Sequence, residues 1–251
     1  SCGKEGFQVD CKLQKSLTIS HNFIVDGSFF RNALNDLQEL YDHVLKEDFK
    51  SLIKGLIIIN NLPAGKDPIS IGWVNNWNYA NDIPTMPWRG AMSLPRNLSV
   101  KKINSEWILL QQPVTSLKNL RTGHRQWNNL LVEGTKRLPV TGQQYEIELL
   151  LDISNSDACG IQLAAGGGHE IEIGYDVRTK KLYIDRSKTA HQSFHKNFEK
   201  LSRFETPLIL TDNQLRLHIF FDNSIVEVFA NNGEAALTAQ LYPQTSDNAI
   251  Q

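Results

Sequence analysis

The residues best suited to chemistry lie between positions 71 and 96. Three tryptophans, Trp73, Trp77 and Trp88, stand there among asparagines, prolines and the arginine Arg89. A sugar ring stacks its C–H face on a flat aromatic side chain, and its hydroxyls take directed hydrogen bonds from amide and guanidinium groups. The segment therefore predicts a carbohydrate-contacting surface.

The same segment closely resembles the last propeller segment of family-32 glycoside hydrolases, the invertase, inulinase and levanase group. That family reads roughly Gly-Trp-Met-Asn-Asn-Trp-x-Tyr-Ala and then Pro-Thr-x-x-Trp-Arg, and residues 72–80 and 84–89 follow this pattern. Residues 173–176, 182–187 and 221–229 resemble signature strands of the family's C-terminal sandwich. The resemblance runs from about residue 70 to 248 and implies hydrolysis of terminal β-D-fructofuranosides, with retention, in sucrose, inulin or levan.

The sugar contacts that we predict are six residues of this segment: Trp73, Asn76, Trp77, Asp82, Trp88 and Arg89. Trp73 and Trp77 would share a face if both lay on a strand. The resemblance makes one of them a wall of a fructose pocket, and a plug at the propeller–sandwich junction is an equal alternative. Asp82, before Ile83-Pro84, fits a turn better than a sugar contact. Arg89 either anchors its loop through a neighbouring carboxylate or binds substrate.

The catalytic residues implied by the resemblance are absent from the sequence. Retaining hydrolysis needs two carboxyl groups about 5 Å apart. In the family they belong to an Asn-Asp-Pro motif and a Glu-Cys motif, with a further Arg-Asp-Pro aspartate gripping the fructose, and none of the three motifs occurs. The nearest echo, Lys66-Asp67-Pro68, predicts a loop. No residue is therefore assigned to catalysis, and we expect the chain to be inactive alone.

Two alternatives follow for the function. The chain is either derived from a family-32 enzyme, as a fragment or rearranged relative or with its remaining propeller blades on a separate chain, or it is a non-catalytic fructan-binding or structural sandwich module. Whether it is an enzyme stays open at this point, as do the linkage and chain length of the carbohydrate.

The elements that must position these residues are mainly β. Alternating apolar residues over 145–153, 171–175 and 215–221, with turn residues between such runs, predict an antiparallel, lectin-like β-sandwich. We expect a sandwich over residues 105–251, a remnant propeller segment over 69–104 and an N-terminal segment over 1–68. The last holds a long amphipathic helix, whose apolar stripe includes Phe30, Leu34, Leu37, Tyr41 and Leu45.

Bulk properties narrow the partners and the location. The formal net charge of −1, from 26 basic and 27 acidic side chains, does not favour nucleic acid. Apolar runs are too short for a membrane span. His191 and His195 stand four apart without helical periodicity, so neither a metal site nor a cofactor is predicted. Ser1-Cys2-Gly3 is similar to a bacterial lipoprotein junction, which suggests an extracellular, periplasmic or cell-surface protein.

Overall fold

A computed structural model describes residues 10–21, 56–59, 67–103 and 106–251. The predicted amphipathic helix and Cys2 lie outside these residues. The described strands are β1 (Asp10–His21), β2 (Leu56–Ile59), β3 (Ile69–Val74), β4 (Ala91–Met92), β5 (Arg96–Ile103), β6 (Glu106–Pro113), β7 (His124–Trp127), β8 (Leu131–Glu133), β9 (Gln144–Asp152), β10 (Ala158–Gly166), β11 (His169–Asp176), β12 (Lys181–Asp185), β13 (Arg203–Pro207), β14 (Gln214–Asp222), β15 (Ile225–Ala230) and β16 (Ala235–Gln240). A 3-10 helix covers Thr115–Leu120, and one helical turn, α1, covers Lys196–Lys200.

The strands form three antiparallel sheets. The front sheet runs in the order β16-β15-β14-β9-β1-β7, with β8 also paired to β1. The back sheet runs β10-β11-β12-β13, and the blade sheet runs β2-β3-β5-β6, with β4 paired to β3. Front and back sheets face each other as the predicted sandwich, and the blade sheet precedes most of it along the chain.

The core lies between the front and back sheets because the strands alternate as the sequence predicts. On β9 and β14, Ile147 pairs with Ile219, Leu149 with Leu217, and Tyr145 with Phe221. From the back sheet, Ile171, Ile173, Leu182 and Ile184 are buried in the same cluster. Each such aliphatic side chain contributes roughly 1.5–3 kcal/mol of transfer free energy when fully buried.

The N-terminal strand β1 is part of the sandwich, which the sequence did not lead us to expect. It pairs antiparallel with β9, from Lys12 opposite Asp152 to His21 opposite Tyr145, with a register shift between Leu13 and Leu17. On its other side it pairs with β7 and β8. Residues 10–21 thus separate β9 from the strands β7 and β8 in the front sheet.

Two sets of contacts hold the blade sheet to the sandwich. Arg96 of β5 forms an ion pair with Glu227 of β15. Glu227 Oε1 also accepts a hydrogen bond from Leu94 N at 2.6 Å. An aromatic cluster adds Tyr79 and Ile83 of the blade segment to Phe198 and Tyr242 of the sandwich. The blade segment therefore has a fixed position against the sandwich.

Candidate functional site

The loop between β3 and β4, residues 75–90, carries most of the predicted sugar contacts, and we call it the blade loop. Its first turn is built by asparagines: Asn75 Oδ1 accepts from Asn76 N at 2.8 Å, and Asn76 Oδ1 accepts from Asn78 N at 2.9 Å. Tyr79 N then donates to Asn76 O at 3.0 Å. In Asx-type turns of this kind an asparagine side chain bonds the backbone two residues on, and Trp77 is the residue between Asn76 and Asn78.

Trp73 and Trp77 meet, but not in the way that the sequence predicts. Strand β3 ends at Val74, so Trp77 lies in the turn and not on the strand with Trp73. The two rings nevertheless contact each other, with centroids 4.8 Å apart and planes tilted by 51°. Trp73 also packs closely on Gly90, where an added Cβ would lie 2.9 Å from Trp73 Nε1. Trp73 is half-buried, whereas 84% of Trp77 is exposed.

Trp88 and Arg89 occupy the second half of the blade loop. Trp88 is 45% exposed, and its carbonyl accepts a hydrogen bond from Thr85 Oγ1 at 2.7 Å. Arg89 Nη1 donates to Ile83 O at 3.0 Å and to Thr85 O. Arg89 therefore anchors the loop through backbone carbonyls instead of the carboxylate of the first sequence alternative, and its contact with substrate stays a prediction.

Asp82 lies at the side of the blade loop that faces the sandwich. Its N–H donates to Tyr79 O at 3.0 Å, which is the predicted turn. Its carboxylate Oδ2 lies 3.8 Å from His195 Nε2, and His195 in turn caps α1 by accepting from Asn197 N at 3.1 Å. Asp82 thus contacts the sandwich, a contact between loops far apart in sequence.

A concave site lies where the blade sheet meets the sandwich, and we call it the junction pocket. It has a volume of about 300 Å³ and is lined by residues that include Trp73, Asn76, Arg96, Arg186, Thr238 and Gln240. The sequence pointed to Trp73 and Asn76 but not to the other four. Arg186 belongs to the stretch 182–187 that resembles a signature strand, which was the available signal.

A cluster of Glu146, Glu148 and His218 on the front sheet is the arrangement among the described residues that comes nearest to a metal site. Arg121 already binds both carboxylates, and His218 Nε2 lies 2.5 Å from Glu146 Oε1. Burial raises the pKa of Glu146, but hydrogen bonds from Arg121 and His218 outweigh it and hold that pKa at about 2. A general acid of a glycosidase needs a raised pKa, so this carboxylate is suited to structure instead.

Known proteins share this architecture. The model of "Glycosyl hydrolases family 32 C terminal" matches residues 116–251, and the model of the "Glycosyl hydrolases family 32 N-terminal domain" matches residues 58–113. A levanase of Bacillus subtilis is 31% identical over 232 residues, which is 90% of this chain and 33% of the levanase. An extracellular exo-inulinase of Aspergillus niger is 34% identical over 192 residues, which is 74% of this chain and 35% of the inulinase.

Solved structures agree with these matches. The exo-inulinase of Aspergillus awamori superposes with a TM-score of 0.65 at 29% identity, covering 78% of this chain and 39% of the inulinase. The sandwich, the propeller-like segment of residues 69–104 and these matches together define the chain as a part of a glycoside hydrolase. The chain belongs to glycoside hydrolase family 32. It spans about a third of the length of the curated relatives it matches.

Proposed function

We propose that this chain supplies the sugar-contacting wall and the sandwich of a family-32 fructosidase, and that it does not hydrolyse fructosides alone. The observation that carries the proposal is Trp77, an 84% exposed tryptophan in a turn built by asparagines. An exposed tryptophan beside amide groups offers a flat face on which a sugar ring can stack. Fructosyl units of sucrose, inulin or levan are the ligands that the family suggests.

The proposal that the chain alone does not hydrolyse fructosides rests on which carboxylates it contains. The sequence lacks the three catalytic motifs, and Arg121 forms ion pairs with both Glu146 and Glu148 on the front sheet. Because retaining hydrolysis needs one ionised and one protonated carboxyl group across the scissile bond, these two side chains do not replace the missing pair.

The missing carboxylates would come from a propeller, and we propose a separate propeller chain as the partner. The blade sheet is one sheet of described strands, whereas a propeller closes by placing several such sheets around an axis. The exposed side chains of Trp77, Met86 and Trp88 give the blade loop a surface that a neighbouring blade could cover.

A hydrolysis assay with and without a propeller tests both the inactivity of the chain alone and the propeller partner. The pure chain is incubated with sucrose, inulin and levan, and released reducing sugar is measured before and after adding the isolated propeller of a family-32 levanase. We expect no release from the chain alone, and more release from the mixture than from the propeller alone. Turnover by the chain alone that is lost on replacing one of its carboxylates would overturn the proposal, and an unchanged rate in the mixture would overturn the partner.

The second candidate function is a non-catalytic fructan-binding module that needs no propeller. The same exposed Trp77 favours it, because a stacking platform next to amide groups can hold a sugar without cleaving it. Saturable binding of fructan by the chain alone is expected of both candidates, so the rate of the mixture with the propeller separates them. An unchanged rate supports this candidate, and a raised rate supports the first.

The location that we propose is outside the cytoplasm. Relatives include extracellular exo-inulinases, and polymeric fructans are substrates that a cell meets outside its membrane. Within the described residues, no helix is both long and apolar enough to cross a membrane. Lipidation of Cys2 would attach the chain to a membrane surface.

A further inference from the structure

The junction pocket is a candidate for a second ligand site, separate from the exposed face of Trp77. Its walls come from both parts of the chain: Trp73 and Asn76 belong to the blade segment, while Arg186 and Gln240 belong to the sandwich. Its volume of about 300 Å³ lies at the small end of the range for ligand pockets, which is roughly 300–1,000 Å³. That size suits a molecule no larger than a monosaccharide.

The charges around the pocket do not balance. Arg96 is matched by Glu227, with which it forms an ion pair. Arg186 is only 1% exposed, and its partners are the carbonyls of Gln240 (2.5 Å), Leu201 (2.8 Å) and Phe198 (3.3 Å), together with the side chain of Tyr79. No carboxylate among the described residues pairs with it.

A buried guanidinium without a carboxylate is costly, because burial penalises the charged form. Burial lowers the pKa of Arg186 accordingly, although arginine stays protonated. Stacking on the ring of Phe198, whose centroid lies 3.6 Å from Cζ, offsets part of the cost. One positive charge on the wall of the pocket is still left without a balancing anion.

Two polar atoms at the pocket also lack partners. Gln240 is 4% exposed, and its Oε1 is buried with no hydrogen-bond donor among the described residues. Arg96 Nε is likewise buried with no described acceptor. An unsatisfied buried polar atom costs about 1–3 kcal/mol, so a ligand that supplied a hydroxyl donor and an anionic acceptor would recover this free energy.

We propose that the junction pocket binds a small hydroxylated anion, such as a sugar acid. The anion balances the charge of Arg186, one hydroxyl donates to Gln240 Oε1, and an oxygen accepts from Arg96 Nε. Trp73 supplies an apolar wall for the carbon chain. This site goes beyond the proposed function, because it uses neither the exposed face of Trp77 nor Trp88.

Calorimetric titration of the pure chain at low ionic strength tests the site with three probes. Gluconate carries the charge and the hydroxyls, sorbitol carries the hydroxyls alone, and acetate carries the charge alone. We expect gluconate to bind at least tenfold more tightly than either of the others. Equal affinities, or no binding of gluconate, would overturn the proposal.

The variant Gln240→Leu locates the binding. It removes the unpartnered acceptor with a side chain of similar shape, so stability should be retained, while affinity for gluconate should fall at least tenfold. Trp107→Ala is the control, because Trp107 is 72% exposed on β6 and does not line the junction pocket. It should leave gluconate binding unchanged. A folded Gln240→Leu with unchanged affinity would refute the assignment. If Gln240→Leu does not fold, the tryptophan fluorescence of the wild-type chain is titrated with the three probes. A saturable change with gluconate at lower concentration than with sorbitol or acetate supports a site beside Trp73, and no change with gluconate refutes it.

Discussion

At the scale of single residues, Glu146 shows why a carboxylate in this chain is structural. Its side chain is almost completely buried on the front sheet, where Arg121 comes from the segment following the 3-10 helix and His218 comes from β14. Glu148 shares the guanidinium of Arg121. The ion pairs of Arg121 with Glu146 and Glu148 therefore hold the segment that links the blade sheet and the sandwich against the front sheet.

The pH dependence of stability should report this ion pair. The pKa of Glu146 is lowered from 4.5 to about 2 in the folded chain, so its contribution is complete above pH 4.5 and is lost as the pH falls towards 2. We expect Glu146→Gln to reduce the free energy of unfolding at pH 7 by at most about 3 kcal/mol, and this deficit should shrink between pH 5 and pH 2.5.

Urea unfolding across that pH range measures the deficit. The exposed Glu133 on β8 gives the matched control, and Glu133→Gln should stay within about 0.5 kcal/mol of the wild type at neutral pH. A deficit for Glu146→Gln that does not change with pH would show that the lowered pKa is not the cause.

Residue types predict part of the site and miss the rest for a clear reason. The aromatic and amide composition of residues 71–96 indicates a sugar-facing surface, and Trp77 is indeed exposed. The partners of Asp82 and Arg96 are His195 and Glu227. Both contacts depend on tertiary packing between distant segments, which local patterns do not encode. The roles of the six predicted residues in sugar binding stay predictions.

At the scale of elements, period-two alternation predicts β9, β11 and β14 well. This alternation does not predict strand β1, because three polar residues stand between Leu13 and Leu17, where the pairing register also shifts. The spacing from Leu13 to Leu17 is four residues, while that of their partners Leu151 and Leu149 is two. The segment therefore does not show period-two alternation. The predicted helix lies outside the described residues and stays a prediction.

Gly174 should be required for the packing of the back sheet. It lies on β11 opposite Tyr183 of β12, and a Cβ there would lie 2.5 Å from Tyr183 Oη. Tyr183 also donates to Glu172 and stacks under Arg203, with 3.8 Å from Cζ to the ring centroid. Gly174→Ala would displace this ring, and we expect a loss of about 1–3 kcal/mol in the free energy of unfolding.

Gly123→Ala is the control for this effect. A Cβ at Gly123 would meet nothing within 4 Å, so stability should be unchanged or slightly higher, since alanine restricts the unfolded chain. Denaturant unfolding monitored by tryptophan fluorescence compares the two variants. Equal stabilities would contradict the close approach of Tyr183 to Gly174.

At the scale of the whole molecule, the described residues combine a sandwich core with one blade sheet. The two are joined by the ion pair of Arg96 with Glu227 and by the cluster of Tyr79 and Phe198. Family 32 is predictable from the sequence because its motifs are local and fall in order along the chain. Coverage of about a third of each relative makes the activity of the whole protein a proposal for this chain.

Isothermal calorimetry with a fructo-oligosaccharide tests the central claim most directly, because one trace separates binding from turnover. We predict a saturable heat of binding and no sustained heat from hydrolysis. Trp77→Ala should weaken binding about tenfold, or about 1.4 kcal/mol. Trp107→Ala removes another exposed tryptophan, 72% exposed on β6, and should bind as the wild type does. Sustained heat from the wild-type chain, or equal binding by Trp77→Ala, would contradict a sugar-contacting wall without catalysis.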